Sequence, residues 1–138
     1  MKYIKILMLL LLSKELYAED KTDMPEMVPI LEQLIAKSKA NVKACNDGNA
    51  EICNSLGVRS CNYQHPDYFE AVKFFEQACK GGSALGCNNL GVMYDNGEGV
   101  RQNSKKALEQ FGKACDMKEQ QGCENYAKLK KQMDNRNQ

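Results

Sequence analysis

From Met27 onward, apolar residues recur at helical spacing. Met27, Ile30, Leu31, Leu34 and Ile35 follow at alternating steps of three and one, on one face of a helix. The pattern predicts a helix from about Pro25 to about Cys45. Pro25 suits a first turn, where its missing N–H costs nothing. Asn46-Asp47-Gly48 stops the helix, with Gly48 suited to a left-handed cap. Ala50–Ser60 reads as a second helix, with Ile52, Leu56 and Gly57 on one face, and Cys61–Pro66 as a turn. Asp67 is a good N-cap for a third helix carrying Ala71, Phe74, Phe75 and Ala78. Ser83 caps the next helix, where Leu85, Leu90, Gly91 and Tyr94 face inward. Asn96-Gly97-Glu98-Gly99 forms a loop, and Asn103 or Ser104 opens a helix with Ala107, Leu108, Phe111 and Ala114. A last helix, about Glu119–Met133, carries Cys123, Tyr126, Ala127 and Leu129. Polar residues 134–138 form a tail that closes the helical face. The expected fold class is all-α.

A longer period lies over this rhythm. Cys45 and Cys53, Cys79 and Cys87, and Cys115 and Cys123 are each eight residues apart. The pairs recur after 34 (79 − 45) and 36 (115 − 79) residues, a period that marks an array of helix pairs. Each pair falls where one helix ends and the next begins, so a helical hairpin brings its two positions into disulfide reach. Cys53 and Cys61 are also eight apart, but both lie along one helix, where eight positions rise about 12 Å, beyond that reach. The expected disulfides are Cys45–Cys53, Cys79–Cys87 and Cys115–Cys123. Each closes a short loop, a constraint of roughly 2.5 kcal/mol by the chain-entropy estimate. Cys61 stands where Asp95 stands in the next unit and has no partner in this frame. It is either a semi-exposed free thiol or a handle for intermolecular pairing.

The seven cysteines in 138 residues imply a metal site or an oxidising compartment. The single histidine, His65, and the lack of any C-x-x-C pair argue against structural zinc, so neither metal nor cofactor is expected. The chain start points to export. Lys2 and Lys5 precede the apolar run Ile6–Leu12, and Leu16-Tyr17-Ala18 offers a cleavage site, so residues 1–18 read as a signal peptide. Seven apolar residues fall well short of the roughly 20 that a spanning helix needs. No stable membrane insertion is therefore expected after cleavage. Residues 19–24 read as a flexible N-terminus and 25–133 as the repeat domain, in a secreted or periplasmic protein. Cleavage takes the formal net charge from +1 to −1 (+1 − 3 + 1). Such a balance does not suit a nucleic-acid partner.

Small residues repeat along with the cysteines. Gly57 matches Gly91, with Ala127 at the same place, and Ala71 and Ala78 match Ala107 and Ala114. Small side chains let helices approach closely, and Leu56, Leu90, Tyr94, Phe75 and Phe111 fill the gaps between them. The segments ALGCNNLGVMYDNGEGVRQNSKKALEQFGKAC and GCENYAKL resemble the Sel-one-like repeat, a relative of the tetratricopeptide repeat. The cysteine pair at each junction is similar to that of the Helicobacter cysteine-rich proteins. The resemblance covers about residues 42–130. It is looser between Cys45 and Cys79, where the loop is two residues shorter. It implies an α/α solenoid, a right-handed superhelix of disulfide-stapled helix pairs, in a secreted scaffold that binds a protein or peptide. It also implies an alternative: a penicillin-binding protein with weak β-lactamase activity, which would take a cell-wall or β-lactam ligand.

The chain itself shows no catalytic motif. No serine from Ser38 onward has a lysine three residues on, G-x-S-x-G is absent, and His65 is alone, so no catalytic residue is assigned. If the first helix of each pair lines the concave surface, as the resemblance implies, Leu85, Asn88, Val92 and Asp95 face the groove. In the same places stand Glu51, Asn54, Val58 and Cys61 before them, and Gln121, Glu124, Lys128 and Lys131 after. This mixed surface suits an extended peptide better than a nucleic acid, which would need more positive charge.

Overall fold

A computed structural model describes residues 27–62 and 64–136. The proposed signal peptide, the segment 19–24 and Pro25 lie outside the described residues. The helices are α1 (Met27–Asn46), α2 (Ala50–Cys61), α3 (Tyr68–Lys80), α4 (Ala84–Asn96), α5 (Ser104–Asp116) and α6 (Gln120–Arg136). Among the described residues there is no strand, and no helix is long and apolar enough to cross a membrane. The chain divides into two units, Met1–Lys39 and Ala40–Gln138. In the first, the apolar stripe of α1, including Ile30, Leu31, Leu34 and Ile35, is exposed. The second holds the repeats.

Local chemistry sets the helix starts. Asn49, Asp67, Ser83 and Asn103 each accept a hydrogen bond from the backbone N–H three residues on, those of Ile52, Glu70, Gly86 and Lys106. Such a bond satisfies one of the donors that a helix start leaves unpaired. The stops are equally regular. Gly48, Gly82 and Lys118 all have positive φ, at 103°, 94° and 68°, and all lie three residues beyond the first cysteine of a pair. The N–H of each bonds the carbonyl of that cysteine, and the next N–H bonds the carbonyl of the preceding alanine, Ala44, Ala78 or Ala114. One turn geometry therefore serves three junctions. It brings the cysteine Cα atoms to 4.8, 4.5 and 4.4 Å, and disulfides join Cys45–Cys53, Cys79–Cys87 and Cys115–Cys123.

Packing follows the same repeat. Gly57 lies under the Phe75 ring and Gly91 under the Phe111 ring; a Cβ at either would come within 2.5–2.6 Å of ring carbons. Gly86 and Gly122 meet Ala78 and Ala114 just as closely. Three small cores result: Cys45, Cys53, Leu56 and Ala78; then Ala71, Val72, Phe75, Leu90 and Met93; then Ala107, Phe111 and Leu129. The outcome is an α/α solenoid in which neighbouring helices are stapled at alternate junctions.

Two boundaries differ from the sequence reading. Helix α2 runs one residue further, through Cys61, because the Asn62 N–H caps it on the Arg59 carbonyl. Helix α6 runs past Met133 to Arg136, so most of the polar tail is helical. Arg136 Nε donates to the Gln132 carbonyl at 3.4 Å, and polar residues suit a helix face that remains in water.

Candidate partner-binding face

Helices α2, α4 and α6 are the first members of successive pairs, and a ladder of side-chain amides links them. Asn89 of α4 donates through Nδ2 to Asn54 Oδ1 of α2 at 2.9 Å, and Asn125 of α6 donates to Asn88 Oδ1 of α4 at 2.9 Å. Counting from the second cysteine of each unit, the acceptor is always the next residue and the donor the one after. Asn54 and Asn88 are only 9% and 2% exposed. They stand between helices and fix the spacing of the face rather than lying open on it. Their donors, Asn89 and Asn125, were not among the expected site residues. The signal was available in the repeat, since Asn89 and Asn125 occupy one frame position. In α2 that position is Ser55, whose hydroxyl turns back to the Glu51 carbonyl.

The other expected positions are divided. Glu51, Val58, Leu85, Gln121, Glu124, Lys128 and Lys131 are exposed, while Val92, Asp95 and Cys61 are half-buried. The structure gathers Val58, Cys61 and Val92 into one cleft of about 290 Å³ whose walls include Tyr68, Phe75, Asn89, Met93 and Glu98. Leu85 and the α6 residues lie outside that cleft. Asp95 instead lines a second one with Gln102, Ser104 and the end of α6. His65 is exposed in the α2–α3 turn. A further cleft of about 440 Å³ opens between α3 and α5, bordered by Glu76, Lys80, Lys106, Glu109 and Lys113. On its α5 wall Lys113 and Glu109, one helical turn apart, are ion-paired at 2.7 Å, and Lys106 sits 5.2 Å from the Tyr94 ring centre.

Cys61 is the free cysteine of the described residues. Burial, and secondarily the carboxylate of Glu98, push its thiol above the usual range. Both effects disfavour the thiolate, which is the reacting form. Labelling by iodoacetamide at neutral pH should therefore be slower than for a small free thiol, and should rise only at more alkaline pH. Glu98→Gln removes the second cause and should speed labelling at pH 8. A wild-type rate equal to that of free cysteine at pH 7 would contradict this account.

Residues 55–83 and 84–118 match the family model of the Sel1 repeat. No curated protein matches the chain. Among solved structures, the chain is similar to that of c5321, a protective antigen present in uropathogenic Escherichia coli strains displaying an SLR fold. The identity is 30% and the TM-score 0.55, over 59% of this chain and 18% of that one. The likeness thus spans less than a fifth of that protein. Residues 55–118 thus carry two Sel1 repeats, and the paired helices on a fixed period and the shared SLR fold support a Sel1-like repeat protein.

Proposed function

We propose that this protein is a secreted or periplasmic scaffold that binds a protein or peptide segment through the face formed by α2, α4 and α6. The observation that carries the reading is the cleft between α2 and α4. Val58, Phe75, Val92 and Met93 give it an apolar lining, and Asn89 and Glu98 give it polar atoms. A concave apolar site with few fixed polar groups is the usual form of a binding site. The amide ladder supports it by holding α2, α4 and α6 in register, so that little order has to be gained on binding. Three disulfides favour an oxidising compartment. The α6 end of the face is basic through Lys128 and Lys131, which favours acidic side chains in that part of the partner.

The test uses 12-residue peptides selected from a displayed random library against the oxidised protein. Val92→Asp should weaken the selected peptides roughly tenfold, about 1.4 kcal/mol. Lys80→Glu, in the α3–α5 cleft, should leave them unchanged. Peptides that ignore Val92→Asp, or a library that yields no binders, would remove this reading.

A further inference from the structure

The three disulfides share one place in the repeat but not one environment. Cys45 and Cys53 are both buried, at 2% and 1% exposure. Gln77, on the second helix of the following unit, places Oε1 2.9 Å from Cys45 Sγ and 3.9 Å from Cys53 Sγ. A disulfide sulfur carries no hydrogen, so these are S···O contacts rather than hydrogen bonds. Cys87 is fully buried, and its half-buried partner Cys79 has Gln110 Oε1 at 3.5 Å, again from the second helix of the following unit. Each of these two disulfides is thus covered by a glutamine amide, 32 (77 − 45) or 31 (110 − 79) residues further on. Cys115 and Cys123 are both half-buried, and among the described residues no side-chain amide reaches either sulfur.

Thiol–disulfide exchange requires a thiolate to reach a sulfur atom. Burial hinders that approach, and the negative end of an amide dipole beside the sulfur repels the incoming anion. The hindrance is greatest at Cys45–Cys53 and least at Cys115–Cys123. The element held by the last bond is also more weakly anchored than the helices in the middle of the array. In α6 only Gly122 and Leu129 are buried, whereas α4 buries Gly86, Cys87, Asn88, Leu90, Gly91 and Met93.

We propose that Cys115–Cys123 is the redox-labile bond of the array, a site of exchange with a dithiol reductant, and that its opening loosens α6 while α2–α5 keep their fold. In the first step a reductant thiolate attacks one sulfur. The S–S bond breaks, the other cysteine leaves as a thiolate and takes up a proton, and a mixed disulfide forms. The second thiol of the reductant then loses its proton and attacks its own mixed-disulfide sulfur, and the remaining cysteine leaves. Two electrons and two protons have then passed to the protein, and the reductant is a disulfide.

The experiment is graded reduction of the oxidised protein by dithiothreitol, quenched by alkylation and mapped by peptide, with amide hydrogen exchange on the partly reduced sample. Cys115 and Cys123 should be alkylated at least tenfold faster than Cys79 and Cys87, and Cys45 and Cys53 last. Exchange should rise in 120–136 and stay unchanged in α2–α4. Gln110→Ala should accelerate the opening of Cys79–Cys87 and leave the rate at Cys115–Cys123 as it was. Simultaneous opening of all three bonds, Cys79–Cys87 opening first, or an α6 that exchanges no faster once its bond is cut would each overturn the proposal.

Discussion

In excess dithiol, the unit Ala40–Gln138 is expected to lose its cooperative fold at room temperature. Each disulfide spans a separation of eight, so each closes a nine-residue loop. The chain-entropy estimate gives roughly 2.5 kcal/mol per bond, and about 7.5 kcal/mol for three. A unit of about 100 residues is stable by roughly 5–15 kcal/mol in total. The core cannot absorb such a loss easily. It consists of three small clusters, and the whole chain has four phenylalanines and no tryptophan. Two cysteines of the first cluster are themselves disulfide-bonded, so the staple is part of the packing there. Circular dichroism during thermal melts with and without reductant measures the effect. An unchanged melting temperature with all six thiols free would mean that helix packing alone sustains the array.

What was legible in the sequence was whatever is decided locally. Caps such as Asp67 and Ser83 act within three residues, and the Gly48 and Gly82 stops act within one turn. The cysteine spacing is local too, since each hairpin brings its own pair together. The groove was less legible. Helical spacing places Asn54 and Asn88 on the face of successive helices, but it cannot show that Asn89 and Asn125 reach back to them across 35 and 37 residues. An amide able to bond its neighbour across the array becomes a spacer and leaves the surface. The covers over the disulfides are of the same kind. Gln77 and Gln110 do not share a frame position, so no periodicity reveals them, and only the packing of consecutive helices brings them to the sulfurs. The surroundings of Cys61 likewise depend on a loop more than 30 residues away, which turns back and sets Glu98 beside it.

That loop is held by Gly99, and Gly99→Ala should be among the most damaging single substitutions in the array. Two costs combine. Gly99 has φ of 68°, where an alanine loses about 1 kcal/mol relative to its preferred conformations. In addition, a Cβ there would land on the Tyr68 carbonyl group and lie 2.9 Å from the Phe69 nitrogen, at the start of α3. Backbone in a helix's first turn cannot move aside as a flexible side chain would, so the loop must shift; overpacking of this kind costs typically 1–3 kcal/mol. The sum is about 3 kcal/mol, or roughly 12–24 °C in melting temperature for a unit of this size. Gly82→Ala is the matched comparison. Its φ is 94°, and nothing lies within 4 Å of the added Cβ, so only the conformational cost of about 1 kcal/mol applies. A displaced loop also carries Glu98 away from Cys61 and opens the cleft. Gly99→Ala should therefore label faster at Cys61 near neutral pH, which Gly82→Ala should not. If the two variants melt within a degree or two of each other and Cys61 labels at the wild-type rate in both, then the loop is not held against α3 through Gly99.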